Sequence, residues 1–163
     1  MRGNPRGAPG RRPPSSGTSA RSVATEVLLD TNVFLRHLLQ DHPEQSPAST
    51  ALLERIESGV LAGWVTPMAV AEMVWVLSGS TYGLTRDDIR DGLSALLELP
   101  GLRVVDNRAL RRALELYASL SIDFIDAYHG ALAEAAGGVV YSFDRDFDRI
   151  PGVTRLTPEA GAG

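Results

Sequence analysis

The chain contains no cysteine, which excludes disulfides, thiolate-bound metals and cysteine nucleophiles. Lysine is also missing, so all sixteen cationic residues are arginine, and reactions that rely on an ammonium group are disfavoured. No apolar run approaches the roughly 20 residues needed to span a bilayer. The start, rich in proline, glycine, serine and arginine, has no hydrophobic leader core. A cytoplasmic protein with no membrane contact is expected.

What is present fits one ordinary domain: 163 residues of which 44% are hydrophobic can bury a core. The formal net charge is −4. Residues 1–22, "MRGNPRGAPGRRPPSSGTSARS", carry five arginines and no acid, so the rest of the chain is more acidic than that figure indicates. An acidic body does not hold nucleic acid by bulk attraction, yet it accommodates a local carboxylate cluster neutralised by a divalent cation. The first 22 residues are low in complexity and too polar to offset their ordering entropy. They are expected to form a disordered basic arm before a folded domain over 23–160.

From there, apolar strands alternate with helical periodicities. "VLL" reads as a strand, followed by helices near 32–40 and over "EQSPASTALLERIESG". "AGWVT" reads as a second strand. Pro67 suits the first turn of a nearly all-apolar helix, "PMAVAEMVWVLSGS", expected to be buried. Thr85 is placed to cap the next helix, which leads to the strand "LRVV" and a helix over 107–120. A further helix opens at Asp123 and ends at glycines, before the strand "VVYS" and a last strand near "VTRL". This alternation predicts an α/β fold with one mostly parallel sheet covered on both faces.

Several acids sit where packing alone does not require them. Asp30 lies at the carboxyl end of the first strand, the edge at which open parallel sheets bind ligands, although Asp30 or Asn32 could equally cap the following helix. Glu72 is the sole charge in its apolar helix and has no base at i±3 or i±4, so it is expected to be desolvated or to face a cavity. Asp123 and Asp126 share a helix start, where one can cap while the other works. Asp144 follows "VVYS" as Asp30 follows "VLL", at an equivalent strand end. Asp146 and Asp148 read as solvated turn charges, and His129 as structural. Clustered carboxylates repel unless a cation holds them, and oxygen-only ligation selects Mg2+ or Mn2+. Such a site supports hydrolysis of a phosphodiester.

The quoted segments resemble the PIN-domain ribonucleases, and within them the VapC-like toxins of toxin–antitoxin pairs. "LLDTNVFLR" is similar to the family's first motif, "VTPMAVAEMVWVL" to its second, "DFIDAYHGALAEAAG" to its third and "VVYSFDRDFDRIPGV" to its fourth. The resemblance spans about residues 26–157. It implies a three-layer α/β/α fold and a metal-dependent endoribonuclease acting on RNA. It implies metal-binding acids at Asp30, Glu72, Asp126 and Asp144, with Asp123 close enough to share the site and Asn32 and Ser142 as supporting polar groups. A small antitoxin partner and a homodimer are implied as well. A partner surface is expected on the helices near 44–58 and around Met73 to Leu77, with Trp75 as its anchor.

Two rivals come from other classes. An Asp-based phosphotransferase of the dehalogenase or response-regulator type also places an aspartate after its first strand. The dehalogenase motif needs a second aspartate where this chain has Asn32, and both types need a lysine. A catalytically inactive PIN-like module would only bind RNA or protein, but all four acids are present.

Overall fold

The computed structural model of the chain describes residues 25–159. The basic arm expected over residues 1–22 lies outside them. Five short strands, β1 (Glu26–Leu28), β2 (Ala62–Val65), β3 (Leu102–Val104), β4 (Val139–Tyr141) and β5 (Thr154–Leu156), are joined by helices that run mostly in pairs. These are α1 (Thr31–Leu39), α2 (Gln45–Glu57), α3 (Pro67–Ser78), α4 (Arg86–Leu97), α5 (Asn107–Leu120) and α6 (Phe124–Ala135), with a 3-10 turn at Arg145–Arg149. The layers are α/β/α, as the alternation of elements predicts.

The helix starts follow from local chemistry. Thr66 accepts from the Ala69 N–H with Pro67 in the first turn, and Thr85 and Asp88 form a reciprocal capping box at α4. Asp123 accepts from the Ile125 N–H at α6. α2 has no side-chain cap at Glu44; instead His42 Nδ1 accepts from the Glu44 and Gln45 N–H groups. α5 buries Leu110, Ala113, Leu114 and Tyr117. Burial of each such leucine stabilises the fold by about 1.5–3 kcal/mol. Arg112 ties α5 to α6 through a two-pronged pair with Glu134 at 2.9 and 2.8 Å.

All strand pairs are parallel, with Val27 opposite Gly63 and Gly63 opposite Leu102. The expectation of one continuous sheet needs correction. Among the described residues, β1-β2-β3 form one hydrogen-bonded sheet and β4-β5 a separate pair. Asp30 and Asp144 therefore end strands of different sheets. The strands involved are only three residues long, and Leu28 on β1 and Tyr141 on β4 remain exposed.

A second correction concerns α3. Its Val70, Met73, Val74 and Leu77 are buried, but Met68, Glu72 and Trp75 are exposed, and their spacing of four and three residues puts them on one stripe. Trp75 is 76% exposed. Glu72 thus belongs to the solvent face of a helix whose uniform apolarity conceals which side is buried.

Candidate active site

Two neighbourhoods hold the acids. In the first, Asp30 leaves β1 and caps α1: one carboxylate oxygen accepts from the Asn32 N–H at 3.2 Å and from its side-chain amide at 3.1 Å. Both sequence readings of Asp30 are therefore compatible, since a capping carboxylate at a strand end keeps its second oxygen for a ligand. Asn32 orients Asp30. Beside it the buried Thr31 donates through Oγ1 to Glu72 Oε2 at 2.7 Å, linking α1 to α3. Asp30, Thr31, Thr66, Met68 and Glu72 line one pocket of about 270 Å3.

The second neighbourhood is built on α6 and the 3-10 turn. Asp126, half-buried in the first turn of α6, has its carboxyl pushed above the ordinary aspartate value, first by burial and then by the charges of Asp144, Asp123 and Asp146; His129 opposes the shift. Asp123 and Asp144 each cap a helical segment, with Asp144 accepting from the Asp146 N–H at 2.9 Å. Ser142 Oγ accepts the Asp144 N–H at 3.0 Å and so fixes the backbone of that acid.

The structure thus places Asp30 with Glu72, and Asp126 with Asp144 and Asp123. Among the described residues, no three carboxylate or imidazole side chains converge on one metal position. In kind the donors still fit a hard divalent cation. Every one is an oxygen, and the Asp126 carboxyl, raised first by burial and then by neighbouring acids, carries a charge that such a cation would offset.

Two contributors escape the sequence. Thr31 stands in "DTN" between two residues that draw attention, but only the long-range bond to Glu72 reveals its part. Asp146, expected as a solvated turn charge, faces Asp126 closely enough to raise its carboxyl, even though Arg149 pairs with it at 3.4 Å. Asp148 is held below the ordinary range by its hydrogen bonds to Arg155 and is not among the acids that raise Asp126.

Comparison with known proteins bears on the family. No curated protein sequence matches the chain significantly. Among solved structures, VapBC2 from Rickettsia felis, crystallised with a DNA fragment from its promoter, aligns over 82% of this chain and 98% of the other. The identity is 14% and the TM-score 0.32, too low to bear on function. The family model for the PIN domain matches residues 27–153, a span that holds both acid neighbourhoods. The chain belongs to the PIN-domain family.

Proposed function

We propose that the protein is a Mg2+- or Mn2+-dependent endoribonuclease, the toxin of a toxin–antitoxin pair, acting on RNA in the cytoplasm. The observation that carries the nuclease reading is the half-buried Asp126, crowded by Asp144, Asp123 and Asp146, within the same PIN-family span as the Asp30–Glu72 pocket. Isolated from a cation, such a cluster is destabilising. A bound cation would relieve that repulsion.

Asp30, Glu72, Asp126 and Asp144 would hold the metal. When bound, the cation lowers the pKa of an attacking water and stabilises charge on the leaving oxygen. Thr31 fixes one oxygen of Glu72, Asn32 fixes one oxygen of Asp30, and Ser142 fixes the Asp144 loop. These contacts set the carboxylates before substrate arrives, so little reorganisation is needed at the reacting phosphate. With its acidic surroundings, the site takes an RNA phosphate only where that charge is offset.

The antitoxin and the homodimer rest on the similarity of the four motifs to VapC-like toxins. The exposed Trp75 stripe on α3 supports a partner surface there. Among the described residues no helix is long and apolar enough to cross a membrane. The test is incubation of purified protein with total RNA in Mg2+, Mn2+ or chelator, followed by sequencing of the cleaved ends. Discrete cleavage that chelation abolishes supports the reading. Intact RNA under every metal condition would refute it.

A further inference from the structure

Helix α5 ends without the glycine that commonly closes a helix: its C-cap is Ser121, in the left-handed region at φ 54°, and its last turn holds no basic residue. The carbonyls left free at such an end need donors from elsewhere in the chain. Two arginines supply them. Arg86, the first residue of α4, donates through Nη1 to the Tyr117 carbonyl at 2.9 Å and to the Ile122 carbonyl at 2.6 Å, and its guanidinium lies 4.1 Å from the centre of the Tyr117 ring. Arg149, in the 3-10 turn, donates through Nη2 to the Leu120 carbonyl. Both cations also suit the negative end of the α5 dipole.

The two arginines hold this junction to different parts of the fold. Arg86 is half-buried and fastens residues 117–122 to α4, so the buried Ile122 and the α6 start that follows it are fixed. Arg149 comes from the turn that carries Asp144 and Asp146, and its Nη1 lies 3.4 Å from Asp146 Oδ1. It therefore ties that turn to the residues just ahead of Asp123 and Asp126. Ile150, the next residue, packs against Gly130 of α6. A single packed contact permits the turn to pivot, and the bond to a second, rigid point removes that freedom.

We propose that Arg149 is a positioning residue for the acid site, holding Asp144 in register with Asp126 through its bond to the end of α5. The proposal rests on the nuclease reading above and adds the support that keeps acids of two elements together. The charges of Asp144 and Asp146 both act on Asp126, so a shift of the turn changes how these carboxylates share a cation. Arg149 bonds a carbonyl and Asp146 but none of Asp30, Glu72, Asp126 or Asp144, which leaves the oxygens of those four acids available. Removing a group that orients metal ligands lowers metal affinity by about 10–100-fold. Charge alone predicts the opposite, because losing a cation beside carboxylates strengthens their hold on Mn2+. The sign of the change separates the two effects.

The test uses the full chain carrying Phe143→Cys and Ile125→Cys, beside Asp144 and Asp126; with no other cysteine present, spin labels attach at those two positions alone. Without metal, Arg149→Ala should broaden the distance distribution between the labels. In the unlabelled chain it should lower Mn2+ affinity, read by calorimetry, by about 10-fold. Arg149→Lys keeps the charge and one donor; it should show a smaller loss of the same sign, and it serves if the alanine variant does not fold. Arg112→Ala breaks an ion pair to Glu134, two turns beyond Asp126 on α6, and should alter neither readout. An unchanged distance distribution, or Mn2+ affinity equal to or above wild type in both Arg149 variants, would overturn the positioning role while leaving the nuclease reading intact. Losses of the same size in Arg112→Ala would also overturn it, by assigning the effect to general stability. A wild-type chain that neither binds Mn2+ nor cleaves RNA would end the nuclease reading, and the positioning role with it.

Discussion

Thr31 and Glu72, 41 positions apart, are joined by a 2.7 Å hydrogen bond from the threonine hydroxyl to one carboxylate oxygen. The bond fixes the α3 acid relative to the residue that follows Asp30. Thr31→Val keeps the shape and removes the donor, so stability should fall by about 1 kcal/mol. Glu72 is exposed and regains water when freed. RNA cleavage should fall further than that stability loss accounts for, because Glu72 then samples orientations that do not face the site. Thermal melting and cleavage rates of the one variant separate the two effects; a proportionate loss in both would mean that the bond is only structural.

Asp126 and Asp123 separate by substitution. The Asp126 carboxyl is raised by burial and by neighbouring acids, so in the folded protein its ionised form is the strained one. The native state binds the proton more tightly than the unfolded chain, and stability must fall as pH rises from the ordinary carboxylate value near ~3.9 through the raised one. Asp126→Asn should flatten that slope, preserve or raise the melting temperature at neutral pH, and lower cleavage by orders of magnitude. Asp123 caps α6. Asp123→Asn should be mild, and Asp123→Ala should cost about 1 kcal/mol with little loss of chemistry. An active Asp126→Asn beside a folded but inactive Asp123→Asn would exchange the two roles.

Gly130 sets the spacing between α6 and the segment that carries Asp144. A Cβ added there would collide with Cδ1 of the buried Ile150. On an open helix face, Gly→Ala would stabilise by about 0.5–1 kcal/mol. Here the gain is offset by displacement of Ile150, and the 3-10 turn moves away from Asp126. Gly130→Ala should therefore leave the melting temperature nearly unchanged or slightly lower while cleavage drops. Full activity with raised stability would show that Ile150 simply turns aside.

Much of this was legible in the sequence, and the parts that were not share a cause. Pro67, Thr85 and Asp123 announced their helices because first-turn and capping chemistry is local, readable within four residues. Asp30, Asp126 and Asp144 could be placed at strand and helix ends for the same reason, and Glu72 stood out as the lone charge within an apolar helix. The exposed stripe of Met68, Glu72 and Trp75 could not be read, because a helix apolar all round has no periodic contrast to reveal its buried face. The Thr31–Glu72 hydrogen bond and the charge of Asp146 acting on Asp126 arise only in the folded chain. The separation of β4-β5 from the other strands depends on pairing between distant segments, about which strand composition is silent.

Arg112 and Glu134 supply a stability test away from the site. Glu134 is held below the ordinary carboxylate range by its hydrogen bonds to Arg112. Its contribution is present above the unfolded glutamate value near ~4.3 and is lost as pH falls through the lowered one. The Arg112 side chain is 37% exposed, so solvent screening limits the pair to about 1 kcal/mol or less. Arg112→Ala should lower the melting temperature at pH 7 slightly, with the difference from wild type shrinking in acid. An unchanged difference at low pH would assign the loss to packing of the arginine stem.

Calorimetric titration with Mn2+ of the wild-type chain, Asp30→Asn and Asp126→Asn tests most directly whether both acid neighbourhoods serve one metal. Metal held by carboxylates from both sides predicts that each substitution alone weakens binding by about 10-fold or more, and that lowering the pH weakens it in the wild-type chain. Unchanged affinity in Asp30→Asn, with loss only in Asp126→Asn, would contradict a shared site.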